Sequence, residues 1–154
     1  MPIRGQFLRA ADSDDFICLR EFAEADEEFV VAGRDDKWAR WLGPGHHHPR
    51  PTAIIVADGQ IVGWVDSDPE APGLRAGQTN LGYAVFPGYR GKGYATRALL
   101  LMLAFLASEQ PDLHTARLSV DRQNLASIRV AEKARLIRSG DVADEVVFTR
   151  WLHE

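Results

Sequence analysis

The sequence predicts an α+β single domain of about seven strands and about four helices, on three observations. Apolar spacing switches along the chain between the two-residue period of strands and the 3.6-residue period of helices. An Asp58-Gly59 pair sits between two β-branched runs, the strongest short hairpin signal. A stretch that is apolar nearly all round, Ala95 to Ala107, follows a glycine-containing loop and reads as a buried helix. With 154 residues, 45% of them hydrophobic and 26% charged, the chain has ordinary soluble composition and one core's worth of length, so one domain over residues 1–154 is expected.

In order, Gln6 to Ala10 reads as a first strand, and Ser13 as the N-cap of a helix carrying Phe16, Leu19, Phe22 and Ala23 at helical spacing. That pattern fades in the acidic run Asp26 to Glu28. Asp35 to Leu42, with Trp38 and Trp41, forms a second short helix, and Gly43 to Pro51 breaks the pattern. Thr52 to Ala57 and Gln60 to Asp66 are the hairpin strands, Asp68 to Gly77 is a loop, and Thr79 to Phe86 is the next strand before the Pro87-Gly88 turn. The buried helix starts near Gly93 and stops before Pro111. Ala116 to Val120 is a strand, Asn124 to Ala134 a helix, and Ile137 to Val142 and Val146 to Trp151 are the last two strands around a turn at Ala143 to Glu145.

Composition excludes several functions. A net charge of -4 argues against general nucleic-acid binding, which depends on clustered Lys and Arg. The charge is uneven: residues 1–80 hold 8 basic and 14 acidic side chains, net -6, and residues 81–154 hold 10 and 8, net +2. The longest apolar run is about half of the roughly 18 residues a spanning helix needs, and the N-terminal residues lack a secretion pattern, so no membrane association and a cytoplasmic location are expected. Cys18 is the single cysteine, which excludes an internal disulfide.

The chemistry concentrates between Leu81 and Thr96, Leu-Gly-Tyr-Ala-Val-Phe-Pro-Gly-Tyr-Arg-Gly-Lys-Gly-Tyr-Ala-Thr. There a strand runs into a glycine loop that opens a helix. Gly91 and Gly93 permit tight turning, so successive N–H groups from Gly91 to Ala95 can converge on phosphate oxygens, with the helix dipole and the cations Arg90 and Lys92 adding attraction. Glycines at such a turn also occur for purely structural reasons. Lys92 is followed by Gly93 rather than Ser or Thr, which excludes a Walker loop, and the third glycine of a dinucleotide fingerprint is missing. About thirty residues later stands Asn124-Leu-Ala-Ser-Ile-Arg-Val-Ala-Glu-Lys133, with Asn124 and Ser127 on one helix face. Asn124 is equally a plain N-cap and Ser127 an exposed serine.

Together these motifs resemble the GNAT superfamily of acyl-CoA-dependent N-acetyltransferases. The family's pyrophosphate loop, Arg/Gln-x-x-Gly-x-Gly/Ala, stands here as Arg90-Gly91-Lys92-Gly93-Tyr94-Ala95, and the second motif is most similar to the branch of ribosomal-protein N-terminal acetyltransferases. The resemblance implies a central mixed, mostly antiparallel sheet and acetyl-CoA as acyl donor. It places pantetheine against Tyr83, Ala84 and Val85, the pyrophosphate on Arg90, Gly91, Lys92, Gly93, Tyr94, Ala95 and Thr96, and Asn124 on the pantetheine arm or catalytic solvent. The family's frequent tyrosine acid falls at Ala131, which makes Ser127 the candidate acid. The position of its glutamate base falls at Asn80, which would orient a water. The family's helix glutamate is Arg97, and a glycine expected near Ala134 and Arg135 is absent.

The implied function is transfer of an acetyl group to a primary amine of a small molecule or a peptide or protein N-terminus, by direct attack in a ternary complex, with no metal. The alternative is a CoA-binding or protein-interaction module that kept the fold and lost turnover. Asp66, Asp35 and Asp36 are candidate readers of a cationic amine. His46, His47 and His48 form either a surface loop or a lid over the substrate, and Trp64 and Trp151 are walls or core. Dimerisation is common in such domains, and the sequence leaves a homodimer open.

Overall fold

The computed structural model describes residues 16–36 and 51–153. The proposed first strand at Gln6 to Ala10, the cap at Ser13, residues 37–42 of the proposed second helix and the histidine loop therefore lie outside the described residues.

Seven strands form one sheet in the order β1-β2-β3-β4-β5-β7-β6. They are β1 (Ile17–Glu21), β2 (Ala53–Ala57), β3 (Gln60–Asp68), β4 (Gln78–Val85), β5 (Thr115–Asp121), β6 (Ile137–Val142) and β7 (Glu145–Trp151). The helices are α1 (Glu27–Ala32), preceded by a 3-10 turn at Glu24–Asp26, then α2 (Tyr94–Glu109) and α3 (Leu125–Lys133). Every strand pair is antiparallel except β4 with β5. The sheet is thus mixed and mostly antiparallel, as the resemblance implies.

One element corrects the sequence reading. The segment from Phe16 to Ala23, expected to be helical, contains β1, paired with β2 from Ile17↔Ala57 to Glu21↔Ala53. Ile17 and Leu19 are the residues that the core takes, at 3% and 1% exposure, and they stand two apart, so the strand period wins over the helical spacing of Phe16, Leu19 and Phe22. The helix comes later, at α1, with Glu27 and Glu28 in its first turn where the dipole favours acids. Between them, Arg20 clamps Asp26 through two bonds of 2.7 Å, and the Asp26 carboxylate also accepts the Ala23 N–H at 2.8 Å.

Arg20 holds the Asp26 carboxyl below its ordinary value of 3.8. A depressed folded value means that the stabilisation is complete above pH 3.8 and is lost as pH falls through the folded value. Asp26→Asn should therefore destabilise the protein by about 1–3 kcal/mol at neutral pH, a range tempered by the partial exposure of Arg20, and should flatten the acid limb of its urea-denaturation profile.

The hairpin is as expected: Asp58 and Gly59 both take positive φ, 51° and 75°, the pattern of a type I′ turn joining β2 to β3. Helix α2 covers one sheet face with Ala98, Leu99, Met102, Leu103, Phe105 and Leu106, all fully or nearly fully buried. They join Leu19, Ile55, Val65, Leu81, Leu118 and Phe148 in the main core. The opposite face carries a smaller cluster of Val30, Ile54, Trp64 and Phe86. Among the described residues, no helix is long and apolar enough to cross a membrane.

Helix α3 ends where the family's missing glycine was noted. Arg135 takes φ 62°, its N–H bonds Glu132 O at 3.0 Å, and Leu136 N–H bonds Ala131 O at 3.0 Å, a Schellman closure built on a side chain that tolerates the left-handed region poorly.

Candidate functional site

The two central strands separate soon after they meet. β4 and β5 pair only through Gln78↔Thr115, Thr79↔Ala116 and Asn80↔Arg117, yet β4 continues to Val85 and β5 to Asp121. A wedge opens beyond Asn80. The N–H of Phe86 bonds Val62 O on β3 at 2.8 Å, so by alternation Ala84 turns its backbone to β3, while Tyr83 and Val85 turn theirs to the open edge. Parallel strands need their crossover from α2, and the loop leading into α2 stands at the wide mouth of the wedge.

That loop is shaped by glycine dihedrals. Gly91 and Gly93 have φ of 77° and 81°, and a Cβ at either would meet nothing within 4 Å. Glycine is therefore needed for the turn itself, and space lies open beside it. Gly93 caps α2 with no side-chain hydrogen bond, and the first bond of the helix is Arg97 N–H to Gly93 O at 3.2 Å. The N–H groups of Gly93, Tyr94, Ala95 and Thr96 make no hydrogen bond among the described residues. Four donors without a partner among the described residues, at the positive end of a sixteen-residue helix, are suited to receive an anion.

Arg90 has a different place from the one its sequence position suggests. Its Nε bonds Val85 O at 2.8 Å and its Nη atoms clamp Asp35 at 2.7 and 3.1 Å. It fastens the loop to the end of β4 and to the segment after α1, and its charge is compensated. Asp35 is likewise engaged, which leaves less of it to read an amine. Lys92 is exposed beside the loop. Arg97, at the family's glutamate position, lies over the Phe16 ring at 3.9 Å.

Across the wedge, Asp121 turns β5 into α3, its Oδ1 accepting Gln123 N–H at 2.8 Å. Asn124 then caps α3, its Oδ1 accepting the Ser127 N–H at 3.2 Å. The capping role is thus real, and it uses the oxygen only: Asn124 also lines the cavity. Ser127 Oγ is hydrogen-bonded to the Tyr83 hydroxyl, which joins α3 to β4. Burial raises the Tyr83 phenol above its ordinary value of 10.0, partly offset by the bond to Ser127, so the group stays protonated at neutral pH.

Asn80 is the last rung of the β4–β5 pairing, at the wedge's narrow end. Asp66 faces the same cavity, with Oδ1 accepting the Thr52 N–H at 2.9 Å and hydroxyl at 2.8 Å. One cavity of about 1310 Å³ runs from the α2 loop along the wedge and over Trp64 and Asp66. Small-molecule pockets hold roughly 300–1,000 Å³, so this one has room for a long donor and an acceptor together.

Several wall residues carried no weight in the sequence reading. Arg129 and Lys133 stand four apart on the cavity side of α3, a spacing visible in the sequence, and are exposed cations in the cavity wall. Arg117 stands beside Asn80 at the narrow end, and nothing local in the sequence marks it. Among the described residues, no group of His, Cys, Asp and Glu has the geometry to hold a metal.

The comparisons agree with this geometry. A family model described as an acetyltransferase (GNAT) domain matches residues 47–137, more than half of the chain. No curated protein sequence matches. Among solved structures, a GNAT-family acetyltransferase from Bacillus anthracis has TM-score 0.74 at 19% identity, covering 91% of this chain and 97% of that one. The aminoglycoside acetyltransferase AAC(6')-Ib, solved with paromomycin and acetyl-CoA, has TM-score 0.75 at 18% identity, covering 89% and 94%. The ribosomal L7/L12 α-N-protein acetyltransferase RimL has TM-score 0.72 at 14% identity, covering 90% and 91%. The unbonded amides of α2, the open space at Gly91 and Gly93 and the wedge beside them fit acetyl-CoA, and the chain belongs to the GNAT family of acetyl-CoA-dependent acetyltransferases.

Proposed function

We propose that the chain is one cytoplasmic N-acetyltransferase domain acting on a primary amine of a small molecule or a peptide or protein N-terminus, by direct attack in a ternary complex. Nucleic acid and membrane have no part in it. The observation that carries this reading is the wedge beyond Asn80, which connects the unpaired α2 amides to the Tyr83–Ser127 hydroxyl pair.

Bound acetyl-CoA supplies an activated thioester carbonyl and a thiolate leaving group, whose pKa is near the 8.5 of cysteine. Gly91 to Thr96 hold the diphosphate through main-chain N–H groups, with Lys92, Arg129 and Lys133 adding charge. Tyr83 turns its main-chain groups, and Val85 its N–H, toward the pantetheine amides, the Val85 carbonyl already accepting Arg90 Nε. Ala84, whose backbone faces β3, contributes wall rather than a main-chain bond. The Asn124 amide NH2 contacts the pantetheine arm or orients solvent. Ser127 Oγ gives its proton to the thiolate and regains one through the Tyr83 hydroxyl, which solvent reprotonates with the proton released by the amine, so both hydroxyls end neutral. Asn80 orients a water that takes the proton of the attacking ammonium, since an amide has no basicity of its own.

Two measurements test the reading. Titration calorimetry should detect acetyl-CoA binding at micromolar to low-millimolar ligand, and a thiol-release assay over a panel of primary amines should show turnover. No binding at millimolar acetyl-CoA would overturn the donor assignment. Binding without turnover on any amine would instead identify a CoA-binding or interaction module.

A further inference from the structure

We infer that Arg117 is a specificity residue for the acceptor and that the acceptor is a small zwitterion, an amino acid whose carboxylate pairs with this guanidinium; this rests on the acetyl-transfer reading above. Arg117 Nε is buried with no hydrogen-bond partner, and the guanidinium makes no ion pair among the described residues. Only the Nε is enclosed, the residue as a whole being half-buried, and an enclosed N–H without an acceptor marks the place of an absent acceptor group. Arg117 also lines the cavity.

Its position excludes the donor's phosphates as that group. Arg117 pairs with Asn80, five residues before Val85 on β4, and the α2 loop follows the far end of that strand. At about 3.3 Å per residue, the two ends are about 17 Å apart. The side chain also leaves the sheet on the face away from α2: its neighbours Ala116 and Leu118 enter the main core, so Arg117 points the other way.

The same register row carries the complementary charge. Asp68 pairs with Asn80 across β3–β4, and Asn80 pairs with Arg117 across β4–β5. A carboxylate, an amide and a guanidinium thus stand in one row at about 4.8 Å per strand, with the acid and the cation about 10 Å apart at their backbones. Asp68 Oδ1 accepts the Glu70 N–H at 2.9 Å, which fixes the carboxylate at the cavity edge. An ammonium group drawn by Asp68 and a carboxylate drawn by Arg117 put the amine over Asn80, where its proton is to be removed. A simple monoamine would leave Arg117 unpaired.

The test compares amino acids with their own carboxamides, which keep the amine and lose the anion. In wild-type protein, KM for the preferred amino acid should be at least about tenfold below that of its amide, since a charge-assisted pair is worth about 1.5–3 kcal/mol. In Arg117→Gln the two KM values should converge, and Arg117→Lys should restore part of the difference. The dissociation constant for acetyl-CoA should be the same in all three proteins. A second arm needs no turnover: N-acetyl amino acids should bind CoA-saturated protein more tightly than their N-acetyl amides. Equal KM values in wild type, or equal binding of the paired products, would overturn the inference. So would a loss in Arg117→Gln that falls on kcat equally for acids and amides, which would place Arg117 at the reacting carbonyl. Turnover without discrimination rejects the zwitterion alone, whereas failure of acetyl-CoA to bind rejects the underlying function.

Discussion

Gly93→Asp is expected to weaken acetyl-CoA binding by at least about 100-fold, or about 2.8 kcal/mol, read by titration calorimetry. Two effects act together. At φ 81° a side chain raises the energy of the left-handed turn by roughly 1–2 kcal/mol, and the turn is what aims the first amides of α2 at one point. The added carboxylate then stands where the diphosphate should, and repels it at the helix N-terminus. Gly93→Ala separates the two, because a Cβ meets nothing within 4 Å. It should lower the melting temperature while keeping affinity within about tenfold of wild type. If Gly93→Asp binds acetyl-CoA as wild type does, the α2 amides do not hold the phosphates.

Ser127→Ala is expected to lower kcat by about 100-fold while acetyl-CoA affinity changes less than about threefold, in line with loss of one positioned proton donor. The substitution spares the fold at this point, because the Asn124 cap bonds the Ser127 main-chain N–H and not its hydroxyl. Tyr83→Phe should lower kcat by about tenfold by the same route, leaving the serine hydroxyl in place without its partner. The phenol's raised value sets the sign of its pH dependence: the stability tied to the neutral phenol is complete below pH 10.0 and is lost as pH climbs through the folded value. Activity near neutrality should therefore follow deprotonation of the amine. Unchanged kcat in Ser127→Ala would remove the hydroxyl from the mechanism.

The sequence was most legible where one local signal decides the structure. Asp58-Gly59 specifies its hairpin, Gly91 and Gly93 specify the loop, and the last two strands stand where expected, with Glu145 opening β7 and only Ala143 and Asp144 between paired residues. It misled where two periods compete over few residues: Phe16, Leu19 and Phe22 fit a helix, but only Ile17 and Leu19 reach the core, and pairing with β2 decides the outcome. It was silent on contacts between residues distant in the chain. Arg90 and Asp35 are 55 residues apart, and Tyr83 and Ser127 are 44 apart. Without the fold, nothing shows that Arg90 is engaged by Asp35 or that a tyrosine hydroxyl of β4 reaches Ser127. Arg117 is one cation in an alternating strand, and only the register row from Asp68 gives it meaning.

The three-rung seam between β4 and β5 bears on mechanics as well as on binding. Helix α2 rests on β1, β3 and β4, and α3 rests on β5, so beyond that short seam the two halves of the sheet are held by the contact between the two helices, the Tyr83–Ser127 bond and the shared core. A donor lying in the gap would act as a surrogate strand, supplying the main-chain partners that β4 and β5 stop giving each other beyond Asn80.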